Sequence, residues 1–530
     1  MAFDFANFKT DGLNVDFVDW LVDEQWVDMQ IHFGRLWDYY QNPMYSTTGL
    51  SAADAKLNES ARTYIQAQEM GLPARITGIK RSETSGLLGG KAIADIERKE
   101  VVIENDISWR INAMVDFLFG KSVDIVSRAE DKNRRTEIDK ILKQIFNANG
   151  GVRFFQDMAV LGAVYGFVDC IVRPGQRITD FAQNLSSSSI TPNIKLGASG
   201  TDASFGRAME LAGDCALELI EAPRALPVLD ERDFRKINFY IQHFIEQKND
   251  VAVEGNFLRR LLGGKGSSAA RRSTAVTEII APDRWQRYED KQLTEEGPNI
   301  MGIIPVVHIQ NIAQPLYYEG ASDVEPLMPL QDELNTRLSD RASRITFQAF
   351  KMYLAKGIEG IENRAVSPGR MWCTDNPDAS IEQFGGDSTT PSEDTHIAEI
   401  REAMDKASGV TPVVAGVLKD KIGNLTSGVA LRMTLMGMLA KTERKHYAYG
   451  QGLREIAATI MHLLDVTNIY PSAKDERIFD VIFPGPLPEN MLEKLNEARL
   501  KKELGVSTEQ VLRELGYEIN SLERFFNESD

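Results

Sequence analysis

No proline occurs from Val413 to Tyr470, and this stretch constrains the chain more than any other feature. Within it, Thr426 to Asp465 reads as one helix, about 55 to 60 Å long at 1.5 Å per residue. Its apolar stripe is Met433, Met436, Leu439, Leu453, Ile456, Ile460 and Leu463. A helix of that length in a chain of 530 residues must bridge subdomains or subunits. With 43% apolar and 26% charged residues, the composition is that of a folded globular protein and excludes disorder, collagen-like repeats and a disulfide miniprotein.

Upstream, the grammar is mixed. The segment FGRLWDYYQNP around Trp37, Tyr39 and Tyr40 reads as an amphipathic helix stopped by Pro43, and Met70 to Glu100 as loops and short strands. From Asn105 a helix carries Ile107, Ile111, Met114, Val115 and Leu118 on one face and stops at Gly120, with a strand Val123 to Ser127 behind it. Arg134 to Asn147 is a second helix, Gly150-Gly151 opens a third that runs to Gly166, and Phe167 to Arg173 is a strand ended by Pro174. Residues 174–213, with SSSSITPN and GASGTDASFG, lack periodicity and read as a surface loop. Residues 214–312 alternate β runs and turns, with strands over Ala216 to Ile220, Asn238 to Ile245, Ala275 to Ile280 and Ile303 to Ile309.

A second long helix follows Pro326 and Pro329, with Leu327, Leu330, Leu334, Leu338, Ala342, Ile345 and Ala349 at spacings of three and four. Lys351 to Thr390 interrupts it with short β segments, and Pro391 opens another helix that packs Ile397, Ile400, Ala403 or Met404, and Ala407. Two helices therefore flank a small β insert. Gly409 to Gly428 is a loop whose most polar point is Lys419, Asp420 and Lys421. The tail holds a strand, Arg477 to Phe483, and two helices between Pro488 and Phe526. Length alone suggests three domains, whereas the pattern favours one discontinuous body with two insertions and a helical tail.

Motifs for chemistry are missing. Gly89-Gly90-Lys91 and Gly263-Gly264-Lys265 imitate a phosphate loop, but Ser85 and Arg259 stand where its first Gly belongs, and Ala92 and Gly266 where its Ser or Thr belongs. The six histidines form no HExxH, and Glu443 with His446 is an unrepeated ExxH. No GxSxG elbow is present. Cys170, Cys215 and Cys373 fit neither a disulfide framework nor a CxxC knuckle and point to a reducing compartment. The N-terminus, MAFDFANFKTDG, has no basic region before an apolar run, and Met158 to Val168 is too short to span a bilayer, so neither a signal peptide nor a membrane span is expected. No catalytic residue, cofactor or metal is expected. The arginines between Arg259 and Arg272 read as a solvated or subunit-pairing patch that could also touch phosphate.

The segment GIIPVVHIQNIAQPLYYEGASD from Gly302 to Asp323, leading into the helix after it, resembles the portal (head-to-tail connector) proteins of tailed double-stranded DNA bacteriophages. Gly302, Ile304, Pro305, Val306, Asn311, Gly320, Ser322 and Asp323 carry the likeness. WDYYQNP, NDISWRINAMVDFLFGKSVDI, Ala163-Val164-Tyr165-Gly166, Asn424 to Leu431 (NLTSGVAL) and GVSTEQVLRELG agree in order. The resemblance spans about residues 35 to 525 and implies an α+β, mostly helical portal-like fold assembled as a ring. By position it implies a wing over residues 1–322 carrying the insertion at 174–213, a first stem helix at 323–351 and a clip at 352–390. It further implies a second stem helix at 391–408, a tunnel loop at 409–428, more wing at 429–487 that includes the long helix from Thr426, and a crown at 488–530.

The resemblance also implies a non-enzymatic role. About twelve copies would form a ring at one capsid vertex of the virion, assembled in the host cytoplasm, through which the genome is packaged and ejected. The implied partners are the terminase large subunit, head-tail adaptor proteins, the major capsid and scaffolding proteins, and double-stranded DNA, with no membrane. Lys419, Lys421 and Asn424 of the tunnel loop would be the DNA-contacting residues. Two other classes stay open at this point: a nucleotide-hydrolysing DNA translocase subunit, against which the missing Walker motif speaks, and a non-viral structural ring or adaptor protein. The charge bears on all of them. Sixty basic against 77 acidic residues leave −17, which opposes broad, tight binding of nucleic acid.

Overall fold

The computed structural model describes residues 13–41, 102–187, 200–249, 271–349, 352–357, 376–384, 391–415, 432–486 and 491–506, together with 508 and 511. Helix α1 (Val15–Trp20) passes through a π-helical turn (Leu21–Gln25) into α2 (Trp26–Gln41). Asn14 caps α1, its side chain accepting from the Asp16 amide. Then come α3 (Asp106–Phe119), β1 (Asp124–Ser127), α4 (Lys132–Ala148), α5 (Val152–Tyr165), β2 (Phe167–Pro174), α6 (Gln176–Ser187) and α7 (Gly200–Leu211). Strands β3 (Cys215–Glu221), β4 (Ala225–Leu229), β5 (Ile237–Asn249), β6 (Arg271–Ile280), β7 (Arg284–Glu289), β8 (Gln292–Pro298) and β9 (Val306–Gln310) follow. The chain continues with α8 (Met328–Ala349), β10 (Met352–Lys356), β11 (Ser380–Phe384), α9 (Pro391–Ser408), α10 (Met436–Val466), β12 (Phe479–Ile482) and α11 (Met491–Glu503). The class is α+β, as expected.

Among the described residues every strand pairing is antiparallel. One sheet runs β4-β5-β6-β7-β8, a second β3-β2-β9, and β1-β12 and β10-β11 are two-stranded. The N-terminal helices cover the larger sheet, where Leu13, Val18, Leu21 and Val22 bury against Leu226, Ile241, Ile279 and Tyr288. The main core gathers α3, α4, α5 and α10 around β2, whose residues Phe167 to Val172 are all buried. Helix α10 lies so close on β9 that a Cβ at Gly452 would stand 2.4 Å from the Ile309 side chain, so this position has room for hydrogen only.

Residues 174–213 differ from the loop expected there. Helices α6 and α7 flank residues 188–199, which lie outside the described residues. Few anchors suffice: Ile178, Ala208 and Leu211 are buried, and the Asp214 carboxylate accepts from the Ile178 amide at 2.8 Å, capping α6. Small polar residues between those anchors hid the periodicity.

The long helix also differs. It begins at Met436, after a break at Leu435, and runs 31 residues to Val466, about 46 Å. Met433 and Met436, expected in the stripe, are exposed, whereas Leu435, Met438, Thr442, Lys445, Tyr449, Leu453, Ile456 and Ile460 are buried. The inward face passes through a threonine and a lysine, which an apolar count cannot see. Similarly, Ala407 is exposed on α9 and Ser408 is buried in its place. Among the described residues no helix is long and apolar enough to cross a membrane.

The inward phase of α10 gives a direct test. Ile456→Ala should lower stability by about 2–5 kcal/mol through lost burial and a cavity, while Met436→Ala should change it by no more than about 0.5 kcal/mol. Thermal or denaturant unfolding of the two variants measures both.

Candidate functional site

Four of the residues that carry the portal likeness, Asn311, Gly320, Ser322 and Asp323, converge on one buried polar cluster. Strand β9 ends at Gln310, and the next residue, Asn311, is fully buried, its amide donating to the Gly166 carbonyl at 2.8 Å. The chain makes a loop and returns at Gly320, where the two glycines touch. Gly166 has φ +96°, and a Cβ there would sit 2.2 Å from the Gly320 carbonyl oxygen. A side chain at Gly166 is thus excluded both by conformation and by space. Ser322 then donates from Oγ to the Val164 carbonyl at 2.6 Å and accepts from the Val324 amide at 3.0 Å, turning the chain toward α8.

Asp323 stands at the centre. Lys445 Nζ, on α10, reaches Asp323 Oδ2 at 2.5 Å and Asn311 Oδ1 at 2.7 Å, and Lys441 Nζ, one turn earlier, reaches Asp323 Oδ1 at 2.7 Å. Asn311 Nδ2 donates to Asp323 Oδ2 at 3.2 Å, and Tyr449 Oη donates to Asn311 Oδ1 at 3.1 Å. Burial would push the Asp323 carboxyl up, but the ammonium groups of Lys445 and Lys441 outweigh it and hold it at about 2. For Lys445 the balance falls the other way: burial pulls its pKa below the ordinary lysine value, against the opposing pull of Asp323. A carboxylate with two ammonium partners and an amide donor is fully satisfied, which a buried charge requires.

Lys441 does a second job. Its Nζ donates to the Ser408 carbonyl at 2.7 Å, at the last residue of α9. One ammonium group therefore binds the chain just before α8 and at the last residue of α9, the two ends of the helix, hairpin, helix segment. Arg110 on α3 reinforces that point. It is 2% exposed, pairs with Asp106 at 3.0 Å and Asp405 at 2.7 Å, and donates to the Val410 carbonyl at 2.7 Å and Ser408 Oγ at 3.1 Å.

Polar residues of α8 bind the backbone leading into α3. Asn335 Oδ1 accepts from the Glu104 amide at 3.0 Å, Gln331 Oε1 accepts from Asp106 at 3.1 Å, and Gln331 Nε2 donates to the Glu104 carbonyl at 2.6 Å. Beyond Leu338 the helix leaves the core, and Ile345 is 39% exposed. The outer parts of α8 and α9 run antiparallel and are joined by Arg341 to Asp394 at 2.7 Å, Arg344 to Glu393, and His396 to Glu333 at 3.3 Å. Strands β10 and β11 pair between them, Met352 opposite Phe384 and Lys356 opposite Ser380.

Lys419, Lys421 and Asn424 lie outside the described residues, as does most of the arginine-bearing loop before Arg271. Glu443 and His446 lie 3.6 Å apart, and His446 stacks on Phe483 at 4.0 Å. Burial draws the His446 pKa down, against the opposing pull of Glu443. Among the described residues no group of three or more side chains could hold a metal ion. Lys441, Lys445, Tyr449 and Arg110 escaped the sequence reading. One signal was available: Lys445 falls on the same helical face as Tyr449, Leu453 and Ile456, and a lysine on an inward phase implies a buried counter-charge.

The cluster sets a pH dependence. Asp323 is held below its ordinary value, so its contribution to stability is full above about pH 4 and is lost as pH falls through about 2. Asp323→Ala should cost about 3–5 kcal/mol at neutral pH by leaving the buried Lys445 ammonium and the partly buried Lys441 ammonium without their carboxylate. The difference from the parent should shrink below about pH 4, and denaturant unfolding at pH 7 and pH 3 checks both.

The family described as phage portal protein, SPP1 Gp6-like, matches residues 209–524. No curated protein matches the chain. Two similar solved structures are the virion of a native gene transfer agent (GTA) particle, at 11% identity and TM-score 0.38, and the neck of an empty GTA particle, at 12% and 0.36. Each alignment covers 77% of this chain and 89% of the other. With well over half of its residues matched, the chain belongs to the SPP1 Gp6-like family of phage portal proteins.

Proposed function

We propose that this chain is the subunit of a portal ring of about twelve copies, set at one capsid vertex of the virion, through which double-stranded DNA is packaged and ejected. The observation that carries the reading is the helix, hairpin, helix segment, whose two ends are tied at Lys441 and whose outer half leaves the core. In this reading α8 and α9 are stem helices, residues 352–390 the clip, residues 1–322 and 429–487 the wing, and residues 488–530 the crown. The clip docks the terminase motor during packaging and the head-tail adaptors afterwards, and the wing meets capsid and scaffolding proteins. The subunit is assembled in the host cytoplasm.

The role is passive conduction, and charge is its physical basis. Twelve copies at −17 carry roughly −200, so the ring as a whole repels a polyanion and opposes the broad phosphate contacts that would brake a sliding duplex. Residues 409–428 form the tunnel loop, and its Lys419, Lys421 and Asn424 make transient phosphate contacts in that repulsive setting. The loop leaves a firm support on its N-terminal side, where Arg110 donates to the Val410 carbonyl at 2.7 Å.

Negative-stain images of the purified chain test this directly: rings with a central channel and about twelve-fold symmetry are expected, and monomers under all salt conditions would overturn it. Lys419→Ala with Lys421→Ala should leave the rings intact and alter packaging yield or genome retention in assembled particles. Loss of the rings would remove those lysines from the DNA-contacting role.

A further inference from the structure

We infer that Lys445 and Asn311 are the two halves of an intramolecular amide cross-link, formed between Lys445 Nζ and Asn311 Cγ inside the folded subunit with loss of ammonia. An ion pair needs only a lysine and a carboxylate. Here a carboxamide lies between them, its oxygen turned to the amine and its nitrogen to the carboxylate. Lys445 Nζ is 2.7 Å from Asn311 Oδ1, and a carbonyl bond of about 1.2 Å puts it no more than about 3.9 Å from Asn311 Cγ. Asn311 Nδ2 donates to Asp323 Oδ2 at 3.2 Å and to the Ala321 carbonyl at 3.0 Å, which fixes the plane of the carboxamide.

The other groups that such a reaction needs are in place. Asp323 Oδ2 touches both nitrogens, Lys445 Nζ at 2.5 Å and Asn311 Nδ2 at 3.2 Å, so one oxygen can carry a proton from the attacking nitrogen to the leaving one. Tyr449 Oη donates to Asn311 Oδ1 at 3.1 Å, where negative charge gathers once the carbon becomes tetrahedral. That hydroxyl has its place because position 162 is glycine, where a Cβ would strike it. Asn311, Asp323, Lys445 and Tyr449 are all buried, so water competes for neither the amine nor the carbonyl. Lys441 holds the other oxygen of Asp323 and keeps that carboxylate paired throughout.

Asp323 takes one proton from the Lys445 ammonium, and the freed lone pair adds to Asn311 Cγ while the carbonyl pair moves onto Oδ1. Asp323 passes that proton to Nδ2 and takes a second from Nζ. The pair on Oδ1 re-forms the carbonyl, the Cγ–Nδ2 bond breaks with its electrons going to nitrogen, and ammonia leaves, carrying the second proton away as ammonium. The product is a secondary amide with one hydrogen on Nζ, and no oxidant or further reactant enters. A carboxylate held at about 2 is a weak base, which makes the step slow. The lysine offsets this, since burial pulls its pKa below the ordinary value, against the opposing pull of Asp323. The contacts above are those of the unreacted chain.

The bond joins the end of β9 to α10 across 134 residues and closes a covalent loop around α8, the hairpin and α9. Both halves belong to one subunit, so it forms with or without a ring. Intact mass spectrometry of the purified full chain tests it, on fresh protein and on protein kept for days at room temperature. A mass one ammonia below that of the sequence is expected, with a proteolytic product in which the segments around Asn311 and Lys445 are joined through Nζ. The full sequence mass in every sample would overturn the inference, and so would a loss of ammonia confined to a linear peptide, the mark of a cyclised asparagine. Lys445→Met removes the nucleophile and Asp323→Asn the proton carrier, and both variants should keep the full mass of their sequences. The same loss in Lys445→Met would place it at another residue, and the joined product at the parent's level in Asp323→Asn would contradict the reaction as written. The parent chain's own mass needs no folded variant.

Discussion

Asp323 sits between two ammonium groups in the core, and the placement of the surrounding segments follows from how that charge is satisfied. Its oxygens are divided: one takes Lys445, with Asn311 donating to the same atom, and the other takes Lys441. Each partner brings a different part of the chain. Asn311 brings the end of β9, the lysines bring α10, and Lys441 also brings the last residue of α9 through the Ser408 carbonyl. An isolated buried charge is prohibitive, whereas this one is satisfied by groups drawn from several elements, and the alignment seen here brings all of them to it.

Around this point the chain solves a steric problem with glycine. The turn after α5 and the return of the loop at Gly320 approach closely enough that either Cβ would strike the other carbonyl. That contact is what lets Ser322 and Asp323 reach the end of α5 and the second and third turns of α10. The segment that begins there, α8, the hairpin and α9, keeps its polar residues for backbone contacts near the core and for surface ion pairs farther out. Surface pairs such as Arg341 with Asp394 contribute little stability each, so the position of the segment depends on its buried end.

Much of the fold was legible in the sequence because it rests on apolar period and on caps. The α3 helix begins at an Asn105 cap and ends at Gly120, and α8 begins at its prolines, as read. Misreadings occurred where polar residues face inward. Lys445 and Thr442 on α10 broke the count of apolar residues and moved the stripe onto Met433 and Met436, and the thin anchoring of α6 and α7 by Ile178 and Ala208 fell below notice. The likeness to portal proteins identified Asn311, Gly320, Ser322 and Asp323 as a set, but not their purpose. Their partners are more than a hundred residues away, at the end of α5 for Gly320 and Ser322 and on α10 for Asn311 and Asp323, and no local pattern links a carboxylate to a lysine at that separation.

The central claim is that the Asp323 cluster fixes the helix, hairpin, helix segment to the long helix. Amide hydrogen exchange of the full chain with Asp323→Asn, compared with the parent, tests it most directly. The account predicts faster exchange at the base of α8, at the end of α9 and through Val410–Ala415, with exchange in the five-stranded sheet unchanged. Equal protection of those segments in both proteins would contradict it.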